Sequence, residues 1–217
     1  MLCALQDFLT RLYGIDAPAN VLDYLITDER QARALEGDGG RVTEEKLLLT
    51  EHGDELHLAL YLDAALLERL RERDPLEELD AANLEDFCKV LEGLSHFNYM
   101  TWNASADRCV TLLELELQAE IDKYLGARTL ATHQQQPELA AALLQLMFDS
   151  PQFQPGLSAE EQERYESAAR FAGWYCRSLE ARFAGGLPGS DMLRELRTFY
   201  RLPQPGKLSH IHTTAFA

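Results

Sequence analysis

Four ionisable residues of the types that bind metals or exchange protons recur at helical spacing in the middle of this chain. Glu92 and His96 are four residues apart in one segment, and Glu116 and Glu120 are four apart in the next. In an α-helix, a spacing of four residues places two side chains on the same face. If both segments are helices that pack face to face, the sequence predicts a cluster of three carboxylates and one imidazole between them.

Three interpretations of this cluster are open. In the first, the residues form structural ion pairs: Glu120 pairs with Lys123, and Glu92 pairs with His96. In the second, Glu92, His96 and one of the two later glutamates bind a divalent metal ion, as helical bundles do with inward-facing side chains. In the third, Glu92 and His96 act as an acid–base pair. The chain lacks both the Glu-x-x-His pairs of di-iron bundles and the His-Glu-x-x-His signature, so structural pairing is the interpretation that the sequence favours.

A second candidate group lies near the end of the chain. His210 and His212 flank Ile211, and on an extended segment they would point to the same side. Together with His96 they would supply three imidazoles, which is the ligand set of some catalytic zinc centres.

The elements that must position the first cluster are two helices, predicted over 83–102 and 109–125. The apolar residues of the second helix fall into two stripes, which is typical of a central helix packed on both sides. Glu114 and Gln118 lie in one gap between the stripes, whereas Glu116, Glu120 and Lys123 lie in the other. Gly93, in the first helix, indicates that a neighbouring group passes close to its backbone.

The rest of the pattern predicts a mainly α fold that is α+β only through one small β-hairpin. Helices are expected over 3–13 and 17–35, and the alternating residues of 46–62 predict a β-hairpin with its turn at 52–54. We expect Asp63, Pro137 and Ser158 to begin further helices. Two strands alone are marginally stable, so the hairpin must pack on helices or pair with another strand, including one from a second copy.

These elements predict a single domain over 1–217, built around the central antiparallel helix pair. Within it we distinguish an N-terminal subregion (1–80), a helical region (81–202) and an extended tail (203–217), because Pro203 and Pro205 should end the last helix.

Composition limits the classes of function. The 217 residues carry a net charge of −16, which argues against general nucleic-acid binding. No apolar run reaches the ~20 residues of a membrane helix, so no membrane partner is expected. The start of the chain lacks a basic leader, and the four cysteines are scattered, so we expect a soluble cytoplasmic protein with reduced thiols.

Phosphate-loop and nucleophile-elbow motifs are absent, and no complete catalytic constellation is evident. The acid is concentrated in residues 28–80, with 16 acidic and 7 basic residues, whereas Arg194, Arg197, Arg201 and Lys207 form a basic run. The sequence therefore favours a protein-interaction or regulatory module, acting on a protein partner or as a homodimer. The alternative is a metal-dependent enzyme with a Glu/His site between the two central helices. No cofactor other than a divalent metal ion is expected.

Overall fold

The computed structural model describes residues 1–17, 19–36, 43–52, 55–149, 156–183 and 187–215. Within these ranges the fold is mainly α, with a small three-stranded mixed sheet, which confirms the predicted fold class. The predicted hairpin turn includes residues 53–54, which lie outside the described residues.

Nine α-helices are present in the described ranges. They are α1 (Leu2–Tyr13), α2 (Glu29–Glu36), α3 (Ala64–Glu72), α4 (Leu84–Ala104), α5 (Leu112–His133), α6 (Pro137–Phe148), α7 (Ala159–Arg182), α8 (Ser190–Tyr200) and α9 (Gln204–Ala215). The strands are β1 (Leu25–Ile26), β2 (Glu45–His52) and β3 (Glu55–Leu62).

The predicted β-hairpin is confirmed, and it acquires a third strand from the same chain. The strand order is β1-β3-β2, with β2 antiparallel and β1 parallel to β3. Because side chains alternate along a strand, Leu60 and Leu62 enter the main core while Tyr61 packs with Ala32 of α2 on the other face. The predicted helix over 17–35 is wrong: a short 3₁₀ turn (Val21–Asp23), β1 and α2 occupy this region instead.

The predicted central helix pair is confirmed as α4 and α5. His96 contacts Glu116 and Glu92 contacts Lys123, so the two helices run antiparallel. α5 also packs against α6 and α7, which explains why it needs apolar residues on two sides. It extends eight residues beyond the predicted end at 125.

Local signals set several helix starts as expected. The Asp63 carboxylate accepts the backbone N–H groups of residues 65 and 66 at the start of α3. Pro137 occupies the first turn of α6. Ser158 and Glu161 form a complete capping box before α7.

The predicted extended tail is wrong, because 204–215 form α9. Proline is compatible with the first turn of a helix, because the N–H groups there have no partner within the helix. Pro205 therefore fits in the first turn of α9 and does not prevent the helix from forming. α9 packs on α7 and buries Ile211 and Lys207 completely.

Three residues of the basic run make contacts within the fold. The Arg197 and Arg201 guanidinium groups donate to backbone carbonyls at the C-terminal end of α1. Cations at this end of a helix are favourable because the last carbonyls lack partners. Of the four cations in this run, Lys207 is buried, whereas Arg194, Arg197 and Arg201 are exposed.

Candidate metal centre

Glu92 and His96 lie one turn apart on α4, and they face Glu116 on the antiparallel α5. Each of these three residues offers one ligand atom, and the three atoms lie within 4.8 Å of one another. His96 Nε2 and Glu116 Oε2 are 3.3 Å apart. Two atoms bound at about 2.1 Å to one tetrahedral ion lie about 3.4 Å apart, so this pair already has the separation of two ligands.

One nitrogen of the buried His96 imidazole lacks a hydrogen bond. His96 is 8% exposed, and its Nε2 atom makes no hydrogen bond despite the nearby Glu116 carboxylate. Burial by itself would lower the pKa of His96, but the carboxylates of Glu116 and Glu45 hold it well above its usual value. A buried polar atom without a partner is uncommon and points to a missing ligand, water or ion.

A further carboxylate, that of Glu45 on β2, lies on the other side of the imidazole. Its Oε1 atom is 3.7 Å from His96 Nδ1, which is longer than a hydrogen bond, and it too is buried without a partner. Metal-binding histidines commonly direct their second ring nitrogen at a carboxylate, which orients the ring. Glu45 is placed to do this for His96.

Gly93 explains how Glu45 reaches the helix. A Cβ atom at this position would lie 2.9 Å from Glu45 Cγ and 2.9 Å from Leu60 Cδ1. The predicted close approach at Gly93 is therefore confirmed, and the approaching group is the hairpin. Sequence reasoning did not select Glu45 itself. The available signal was its strand register, which puts it on the same inward face as Leu47.

Lys123 occupies the neighbouring position between the two helices. Its Nζ atom donates to Glu92 Oε2 and to Glu120 Oε1, each at 2.7 Å. The predicted Glu120–Lys123 pair is confirmed, whereas Glu92 pairs with Lys123 and not with His96 as the structural interpretation expected. Burial would lower the pKa of Lys123, but Glu120 and Glu92 hold it well above its usual value.

Carboxyl groups outnumber basic groups in this region. Six ionisable side chains meet there: the carboxylates of Glu45, Glu92, Glu116 and Glu120, and the bases Lys123 and His96. Burial raises the pKa of Glu45 and of Glu120, which disfavours the ionised form of these two carboxyl groups. Buried carboxylates that are ionised require compensation, and a divalent cation is one group that would provide it.

The two C-terminal histidines are held elsewhere. His210 Nε2 lies 2.6 Å from Glu195 Oε1 on α8, and the His212 ring contacts Phe171 and Trp174 of α7. Among the described residues, the ligand group that contains His96 includes neither of them. The expected three-histidine site is therefore not assembled.

The opposite side of α5 carries a second polar network. Asp122 accepts hydrogen bonds from Tyr13, from Ser95 at 2.6 Å and from Gln118 at 2.9 Å. Gln118 in turn accepts a 2.5 Å hydrogen bond from the buried Lys207 ammonium. This network joins α1, α4, α5 and α9 through direct hydrogen bonds, which is the pattern of a structural anchor.

The described part of the chain contains no helix that is both long enough and apolar enough to cross a membrane. Comparison of the sequence with family models, and of the chain with curated proteins and with solved structures, finds no significant match.

Proposed function

We propose that this protein binds one divalent transition-metal ion through Glu92, His96 and Glu116. The observation that carries the proposal is the buried His96 Nε2 atom, which makes no hydrogen bond and lies at ligand–ligand distance from Glu116. One imidazole and two carboxylates suit Zn²⁺, Mn²⁺ and Fe²⁺, whereas Mg²⁺ and Ca²⁺ prefer oxygen ligands alone.

A ligand set of three favours a metal-dependent enzyme over a structural metal site. Structural zinc sites are closed by four protein ligands, whereas catalytic sites use three and leave a position for water or substrate. The Glu92 side chain is 24% exposed, so solvent reaches this side of the group. An ion held there would polarise a bound water or a substrate oxygen.

The test is metal stoichiometry and affinity, measured on protein purified without a metal-affinity tag and stripped with a chelator. We expect isothermal titration with Zn²⁺, Mn²⁺ or Fe²⁺, together with elemental analysis, to give one ion per chain. Free metal at 100 times Kd should stabilise the fold by about 2.7 kcal/mol. The absence of stoichiometric metal with an unchanged melting temperature would refute the proposal.

Two variants and one control make the test specific. Glu116→Gln keeps the shape of the side chain and should abolish binding with little effect on folding, as should His96→Ala. His212→Ala, on the remote α9, should bind like the wild type. Strong destabilisation by His96→Ala, with no metal bound to the wild type, would instead assign His96 a purely structural role.

The second candidate function is a protein–protein contact, most simply with a second copy of this chain. In the described residues β2 pairs only with β3, and Leu49 on this edge strand is 46% exposed. An exposed apolar edge strand is a template for pairing with another strand. Light scattering at micromolar concentration tests this: a monomer that recovers no partner in pull-downs would count against it.

A further inference from the structure

Two cation positions lie side by side between α4 and α5. The first is the Glu92, His96 and Glu116 group. The second lies between Glu92 and Glu120, and the Lys123 ammonium fills it with two 2.7 Å hydrogen bonds. Glu92 belongs to both positions because its Oε2 atom binds the ammonium while the residue also faces His96.

The spacing of the acids follows from the geometry of the two helices. Glu92 and His96 are one turn apart on α4, as Glu116 and Glu120 are on α5, and one turn rises about 5.4 Å. Antiparallel packing therefore sets up two successive rungs, His96 opposite Glu116 and Glu92 opposite Glu120. Helical bundles that hold two metal ions bind them through carboxylates and histidines that project from facing helices, and the ions of two-metal sites are about 3.5–4 Å apart.

We propose that Lys123 takes the place of a second metal ion, so that the native protein forms a one-ion centre beside a fixed lysine cation. This inference rests on the proposed function for the first position only. The ammonium is well suited to the task because its side chain is 12% exposed and the two carboxylates satisfy it directly. The native chain could then not carry out a reaction that needs two metal ions at this site. The single ion would act beside the positive charge of Lys123.

The experiment removes the ammonium and counts the ions. Lys123→Met keeps most of the length of the side chain without its charge, and Lys123→Gln is the second variant in case the first does not fold. Native mass spectrometry and titration with Mn²⁺ or Zn²⁺ should give two ions per chain in either variant and one in the wild type. With Mn²⁺, the pair should show spin coupling in its electron paramagnetic resonance spectrum.

Two controls separate a specific second site from a general gain in negative charge. Lys89→Met removes a partly buried lysine of α4 that pairs with Glu44, Glu85 and Asp86. This variant should still bind one ion. Adding Glu120→Gln to Lys123→Met removes a ligand of the second position and should return the count to one.

The outcomes distinguish the two proposals. One ion in the wild type and one in both Lys123 variants would overturn this inference and leave the proposed function standing. No ion in the wild type but one in the Lys123 variants would overturn the proposed function and uphold Lys123 as the occupant of a cation position. No ion in any of these proteins would overturn both.

Discussion

Replacing Lys207 by methionine should change the way the stability of this protein depends on pH. Lys207 is completely buried, and apart from its hydrogen bond to Gln118 its ammonium faces aromatic rings, with the Tyr99 and Phe199 centroids at 4.7 and 4.8 Å. Burial lowers the pKa of Lys207 to about 7, although Glu114 and Asp122 oppose the shift.

The magnitude follows from proton linkage. The unfolded chain keeps the lysine proton up to its ordinary pKa of 10.5, whereas the folded protein releases it above about 7. Between these values the unfolded state binds more protons, so the contribution of Lys207 to stability rises with pH and is constant below about 7. Over this window, at about 1.4 kcal/mol per pH unit, the contribution amounts to about 5 kcal/mol.

The assay is urea denaturation of the wild type and Lys207→Met at a series of pH values from 6 to about 9. Other groups titrate in this range, so the informative quantity is the difference between the two free energies of unfolding. From pH 7 to 8.5 the wild type should gain about 1.5–2 kcal/mol on the variant. Lys89→Met is the matched control, and its profile should run parallel to that of the wild type because its ion pairs raise the pKa of Lys89. Parallel profiles for Lys207→Met would refute the reasoning.

Three further substitutions test individual contacts of the fold. Gly93→Ala should destabilise the protein by about 1–3 kcal/mol in urea denaturation, since its Cβ would lie 2.9 Å from Leu60 Cδ1. This loss is expected despite the better helix propensity of alanine. Equal stability would show that the hairpin shifts to make room for the methyl group. Ser158→Ala removes the capping box and should lower the free energy of unfolding by about 1 kcal/mol, which would be measured as a lower melting temperature. An unchanged melting temperature would mean that the cap contributes nothing to stability. Glu114→Gln should lower the free energy of unfolding by about 1–3 kcal/mol. One carboxylate oxygen accepts the Tyr99 hydroxyl and the other accepts a backbone N–H of α9, and an amide cannot accept both. An unchanged urea midpoint would contradict this.

The parts of the fold that sequence reasoning predicted correctly are those governed by local signals. The periodicity of α4 and α5, the alternation of the hairpin and the caps at Asp63 and Ser158 all act within a few residues of one another. The division of α5 into two polar gaps was also predictable, because helix geometry fixes which side chains share a face. The structure agrees: Glu114 and Gln118 contact residues of α9, while Glu120 and Lys123 are grouped with Glu92.

The parts that sequence reasoning missed depend on distant contacts. β1 has two residues and exists only because β3 offers it a parallel partner, so no local pattern marks it. α9 follows a proline pair that resembles a stop signal, and its docking depends on the burial of Ile211 and Lys207. Glu45 reaches His96 only after the hairpin has packed on α4, which is a tertiary event.

The two sides of α5 also show why only one of them is a candidate site. On the Asp122 side, Tyr13, Ser95 and Gln118 donate to the carboxylate, and Gln118 satisfies the buried Lys207. That network is closed, and an added ligand would have to break it.

On the Glu116 side, the imidazole of His96 lies between two carboxylates yet makes no hydrogen bond through Nε2, and Glu45 Oε1 is also without a partner. Leaving two buried polar atoms unpaired costs about 1–3 kcal/mol each. Such a cost is explained if an ion completes the group, since a metal bound to Nε2 would leave the Nδ1 proton directed at Glu45. The polar network on one face of α5 is therefore satisfied by hydrogen bonds within the protein, whereas the network on the other face leaves polar atoms unpaired. Ligand binding is expected on the face with the unpaired atoms.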